Sequence, residues 1–174
     1  MAFASIRKIG EMKEVAYKPQ DISLGDDEAA YFVIRKPGRN LTIFASYRLG
    51  GGEFPKTYGH FHVPPYEETY QVLYGKAAFL LQKMDGDKVS EVIFKVLDVG
   101  DTFTVPKGYG HVMLNMGDDY VITMDDHDPA HFDNDYEMVK QKRGFGYYII
   151  EKKEGWEAVP NPNYSDLLPL KEDA

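Results

Sequence analysis

From residue 31 onward the chain alternates short apolar runs with polar positions, and glycine-, proline- and aspartate-rich stretches interrupt them. Period-two patterning rich in Val, Ile, Phe and Tyr predicts strands over 31–35, 41–49, 69–73, 77–82, 91–97, 102–105, 111–115, 120–124 and 146–150. Turns are signalled by Lys36-Pro37-Gly38, Gly50-Gly51-Gly52, Asp85-Gly86-Asp87, Asp98-Val99-Gly100-Asp101 and Met116-Gly117-Asp118-Asp119. Strands this short and this closely spaced predict an all-β protein, an antiparallel sandwich or barrel. One short helix is predicted over 133–143, with acidic residues at its start, basic ones at its end and Gly144 as its stop. The residues before the first strand read as weakly structured, and the Pro- and acid-rich tail from Pro160 is expected to pack loosely. With no internal repeat and no linker, the pattern predicts a single domain, 1–174, with its core over about 29–160.

Composition narrows the function classes. At 174 residues and 43% apolar, the chain is globular in character and long enough to bury a core. The absence of cysteine removes disulfides, thiolate metal sites and a cysteine nucleophile. A net charge of −8 argues against nucleic acid as a partner, because neutralising phosphates takes clustered Lys and Arg. No run approaches eighteen apolar residues and the N-terminus lacks the apolar stretch of a signal peptide, so the expectation is a cytoplasmic protein with no membrane partner.

The chemistry concentrates in two places. His60 and His62 stand one residue apart, so on a strand both point to one face while Phe61 points to the other. Glu67 and Glu68 follow at the start of the next strand, and His111 opens a later strand after the Pro106-Lys107-Gly108 turn. Three neutral imidazoles and one carboxylate suit one divalent ion, Fe(II), Mn(II), Ni(II) or Zn(II), with positions left for water or substrate.

The first group reads Gly59-His60-Phe61-His62, five residues, Glu68, six residues, Gly75. The second reads Gly100, five residues, Pro106-Lys107-Gly108, two residues, His111, three residues, Asn115. These resemble the two cupin motifs, the first with a longer gap before its glutamate. The resemblance implies a double-stranded β-helix, or jelly-roll barrel, with His60, His62, Glu68 and His111 as metal ligands. Glu67 is the weaker candidate, because only Glu68 leaves the six-residue gap to Gly75.

A finer resemblance runs from about residue 31 to about residue 163. Thr57-Tyr58-Gly59-His60-Phe61-His62, Glu68-Thr69-Tyr70, the runs 74–82 and 105–111, Asp135-Tyr136, the run 143–148 and Asn161-Pro162 look like the cupin-type glucose-6-phosphate isomerases. That likeness implies a metal-dependent aldose–ketose isomerase interconverting glucose 6-phosphate and fructose 6-phosphate. Moving hydrogen between C2 and C1 requires a polarised carbonyl, which a Lewis-acid ion supplies. It further implies Thr57, Gly59 and Ser46 as phosphate donors and Tyr31 as a pocket residue. Tyr70 and Tyr136 would work beside Glu68 at the reacting end. A homodimer is implied, with N-terminal strands free to pair with a partner's sheet edge.

This chain departs from the family at two places. Tyr58 stands where a lysine is usual, with Lys56 two residues before it, and Asn134 stands where a histidine precedes the Asp-Tyr pair, with His127 and His131 upstream as loop residues. An Fe(II) cupin dioxygenase and a non-catalytic sugar-binding cupin are the rival readings.

Overall fold

The computed structural model describes residues 4–36, 38–128 and 130–173, so Pro37 of the 36–38 turn lies outside the described residues. The chain opens with β1 (Ala4–Lys8), α1 (Ile9–Met12), β2 (Ala29–Ile34) and β3 (Asn40–Phe44). Then come β4 (Phe61–Val63), β5 (Glu68–Tyr74), β6 (Ala77–Asp85), β7 (Lys88–Leu97), β8 (Thr102–Val105), β9 (Tyr109–Asn115) and β10 (Val121–Asp125). The last part holds β11 (Asp133–Asp135), α2 (Glu137–Gln141), β12 (Tyr147–Glu151), β13 (Trp156–Pro160) and β14 (Lys171–Asp173). None of the described helices is long and apolar enough to cross a membrane.

The strands sort into two main sheets, ordered β1-β2-β3-β10-β5-β8 and β14-β7-β6-β9, while β4 joins the second through a His60–His111 bridge. From β3 onward the chain crosses back and forth between the sheets, the jelly-roll connectivity implied by the cupin resemblance. Burial follows the pleat. In β3, β5 and β10 alternate residues are buried, among them Asn40, Thr42, Phe44, Glu68, Tyr70, Val72, Val121, Thr123 and Asp125. Six consecutive residues of β6, from Ala77 to Gln82, are buried, because both faces of that strand are covered. Phe79 packs between the sheets against Tyr70 and Phe103, with centroids 4.8 and 5.4 Å away. On the other face the C-terminal segments close the layer. Trp156 sits 4.5 Å from Phe94, and the Gln82 side chain accepts the Gly146 N–H at 2.7 Å.

Several expectations change. The helix shortens to Glu137–Gln141, because Asp133–Asp135 pair instead with β4, Asn134 opposite His62. The strand expected over 41–49 stops at Phe44. Neither end of the described chain is loose. β1 pairs with β2 of its own chain, and Ile9, Met12 and Val15 are fully buried. In the tail, Asn161 is fully buried and donates to the carbonyls of Lys142 and Phe145, both at 2.9 Å. β14 then runs parallel to β7. Backbone pairing and buried apolar side chains, invisible to a local pattern, hold both ends.

Met12→Ala tests the N-terminal packing. Deleting a fully buried side chain there is expected to cost roughly 2–5 kcal/mol in chemical denaturation. A change below about 0.5 kcal/mol would return residues 4–16 to a loose periphery.

Candidate metal centre and cavity

The segment leading into β4 runs antiparallel along β9. Asn115 N–H donates to Pro55 O, Thr57 N–H to Met113 O, and His60 exchanges both backbone bonds with His111 at 3.1 and 3.0 Å. Between the Thr57–Met113 pair and the His60–His111 pair, three steps on one strand meet two on the other. The extra residue makes a β-bulge at Tyr58-Gly59, and Gly59 takes a φ of +83° that L side chains rarely adopt. The bulge has a chemical consequence. Thr57 and His60 are of opposite parity, and a regular strand would turn them to opposite faces; here both line one cavity. Gly59 is required for space as well, since a Cβ there would lie 2.5 Å from the Phe145 ring.

His60 and His62, Glu68 at the head of β5 and His111 on β9 converge so that one ligand atom of each lies within 4.8 Å of every other. Nε2 of His62 is 3.1 Å and Nε2 of His111 3.3 Å from the same Glu68 oxygen. Tyr70 Oη donates to that oxygen at 2.9 Å and also lies 2.9 Å from His111 Nε2. His60 Nε2, both ring nitrogens of His62 and His111 Nδ1 are buried with no hydrogen-bond partner. Buried polar atoms are rarely left so. Three imidazoles and a carboxylate so arranged fit a divalent ion, which would give one nitrogen of each ring a partner.

The electrostatics agree. Burial, reinforced by the neighbouring histidines, holds His60 well below the ordinary imidazole value, His62 at about 4 and His111 at about 3. Burial, then the Asp125 charge, pushes Glu68 well above the ordinary carboxylate value. The histidines are thus neutral ligands at physiological pH, and Glu68 is the group whose charged form waits on a nearby cation.

Of the other residues picked out by sequence, Tyr31, Thr57, Gly59, Tyr70 and Tyr136 line a cavity of about 120 Å³ that also reaches His60, Glu68 and His111. Ser46 does not. Its strand has ended, and its hydroxyl donates to Asp118 O at the surface. Thr42, two turns of the pleat earlier, faces the cavity instead. Lys56 is not a stand-in for a lysine at position 58, because its ammonium is buried against Glu53 (2.5 Å) and Val15 O (2.7 Å) on the opposite side of the segment. Tyr58 also faces away, donating to Glu14 at 2.7 Å.

The two upstream histidines differ. His131 is exposed and paired with Asp128, whereas His127 is buried, hydrogen-bonded through Nδ1 to Tyr66 Oη, and lines the cavity. Asn134 lines it too, donating to Tyr136 Oη at 3.2 Å.

Arg7, Arg35, Asn40 and Asp125 are cavity residues that the sequence reading passed over. The strands offered a signal: NLTIF and VITMD place Asn40, Thr42 and Asp125 on the same inward face as Phe44 and Val121, and polar residues on a buried face mark a lined space.

Titrating the metal-free chain with Zn²⁺ or Mn²⁺ near pH 6 is expected to show one ion bound and release of no more than about one proton. Histidines with depressed values have lost theirs already, while Glu68, whose value is raised, still holds one to give up. Release of two or more, measured by calorimetry in buffers of different ionisation heat, would show charged histidines in the free site. His111→Ala should lose most of the bound metal by elemental analysis, and unchanged content would remove His111 from the ligand set.

The chain matches the model of the family described as Glucose-6-phosphate isomerase (GPI) over residues 2–165. No curated protein matches it. Among solved structures it is similar to the Drosophila melanogaster CENP-C cupin domain, at 15% identity over 64% of this chain and 79% of that one, TM-score 0.40. It is similar also to an oxalate oxidase, at 21% identity over 50% of this chain and 39% of that one, TM-score 0.38. A third is the capsular polysaccharide assembling protein CapF from Staphylococcus aureus, at 20% identity over 65% of this chain and 30% of that one, TM-score 0.44. The family match takes in both histidine motifs and nearly the whole sequence, and on that ground the chain belongs to the glucose-6-phosphate isomerase family.

Proposed function

We propose that the cavity binds a hexose 6-phosphate and interconverts its aldose and ketose forms, glucose 6-phosphate and fructose 6-phosphate. The observation that carries the reading is the bulge at Gly59, which turns the Thr57 hydroxyl and the His60 imidazole into one cavity in a chain of this family. A divalent ion held by His60, His62, Glu68 and His111 would supply the Lewis acid that polarises the sugar carbonyl.

The chain's own groups divide the rest of the work. Thr57 Oγ1 accepts the Met113 N–H at 3.0 Å, which orients the hydroxyl and leaves its hydrogen for a phosphate oxygen. Tyr70 holds the Glu68 carboxyl in place through its 2.9 Å hydrogen bond, and both lie at the end of the cavity where the C1–C2 atoms would react. Tyr136, tethered through Asn134, walls the side of the cavity near His60, its ring 5.5 Å from that imidazole. Asn134 cannot move a proton, and His131 points to solvent, so proton handling rests on Glu68, with His127 and Asp125 as further titratable groups of the cavity wall.

Purified, metal-loaded protein is expected to convert fructose 6-phosphate to glucose 6-phosphate, followed in a coupled assay, and to lose that activity on chelation. Absence of turnover with Fe(II), Mn(II), Ni(II) and Zn(II) alike would overturn the assignment. Thr57→Val removes a donor to a charged group, worth about 1.5–3 kcal/mol, and is expected to raise KM roughly ten- to a hundredfold with metal content unchanged. Thr57→Ser, which keeps the hydroxyl, should recover most of the loss. If the two variants behave alike, the hydroxyl does not contact the phosphate.

A further inference from the structure

β1 carries no part of either histidine motif, yet it lays Arg7 along the cavity wall. Register fixes the side chain. Arg7 pairs across the sheet with Tyr31, and Arg7 Nε donates to the Tyr31 hydroxyl at 3.3 Å. That hydroxyl also accepts the Tyr58 N–H at 3.2 Å, so the guanidinium is one shared hydroxyl away from the peptide that follows Thr57. Two rings fix its plane: Arg7 Cζ lies 5.0 Å from the centroid of Tyr58 and 5.5 Å from that of Tyr136, and the rings meet edge to face. Nη1 donates to Glu11 at 2.7 Å, and Nη2 donates to no described residue.

The chain as a whole carries a charge of −8, and Glu68 and Asp125 both face the cavity. A dianion entering such a space needs a local cation besides the metal centre. Arg7 and Arg35 are the two basic side chains that line it. Of these, Arg7 is the one held rigidly, by a hydrogen bond, an ion pair and two rings, so little freedom is lost when it binds.

We propose that Arg7 makes the cavity selective for a phosphorylated over an unphosphorylated ligand, its guanidinium binding the phosphate beside Thr57, with Glu11 as the carboxylate that orients it and competes for its charge. The proposal rests on the sugar-phosphate reading for the substrate, but the anion site is testable without turnover.

The test is calorimetric titration of the metal-loaded full chain with inorganic phosphate, glucose 6-phosphate and glucose. Arg7→Met, which keeps an unbranched apolar stem against the two tyrosines, is expected to weaken inorganic phosphate and glucose 6-phosphate at least tenfold. Glucose binding and metal content should not change. Arg7→Lys keeps the charge without the planar fork and should fall between Met and the native residue. Glu11→Gln, which leaves the strand intact, should tighten phosphate a few-fold. Phosphate binding that Arg7→Met leaves unchanged overturns the proposal, as does a native protein that binds no phosphate at tens of millimolar. Arg7-dependent phosphate binding in a protein without turnover upholds it while removing the isomerase assignment. Turnover with an unaltered KM in Arg7→Met removes Arg7 and leaves the assignment standing.

Discussion

One extra residue in the strand before β4 sets most of what the site can do. Because Thr57 stands opposite Met113 and His60 opposite His111, the segment changes phase at Gly59 and presents a hydroxyl and an imidazole on the same side. The residues on either side of Thr57 obey the other parity, so Lys56 and Tyr58 go to the far face, where the lysine is committed to Glu53 and Val15. Phe145 occupies the space a side chain at position 59 would need, which keeps that position glycine, and the Phe145 carbonyl accepts from the fully buried Asn161. The tail of the chain thus packs behind a turn about a hundred residues before it in sequence.

Around that turn the buried polar groups are arranged to need something. Four ring nitrogens in the cluster lack partners, burial pushes a carboxyl toward its uncharged form, and a tyrosine hydroxyl bridges that carboxyl to His111. Such a set destabilises the empty fold, as sites built for a ligand commonly do. The same chain spends no such arrangement on the buried carboxylate of Glu53. Glu53 has its Lys56 partner and a Tyr17 N–H, and nothing there is left unsatisfied.

The sequence showed the strands that alternate and the ligands that share a motif, because both are local patterns. Nine predicted strands fall on observed ones, and His60, His62, Glu68 and His111 lie together. What it hid depends on pairing across the fold. β1 and β14 are short, largely exposed strands whose only reason to be extended is a neighbour's backbone. Asp133-Asn134-Asp135 reads as an acidic helix start and becomes a strand because β4 offers its edge. Ser46 has the parity of Thr42, but parity counts only while the strand lasts, and it ends at Phe44. Arg7 could not be found from its surroundings in sequence, since Tyr31, Tyr58 and Tyr136 reach it from three separate stretches of the chain.

The middle of the six-stranded sheet pairs β3 with β10, Asn40 opposite Asp125 and Phe44 opposite Val121. The two strands are about eighty residues apart in the chain, and everything between them belongs to the rest of the jelly roll. Joining them closes a long loop, an entropic cost met before the sheet contacts that repay it can form. Both walls of the cavity hang on this one seam. The pairing of His60 with His111 closes a shorter stretch of chain, so assembling the whole cavity costs more chain entropy than bringing those two ligands together.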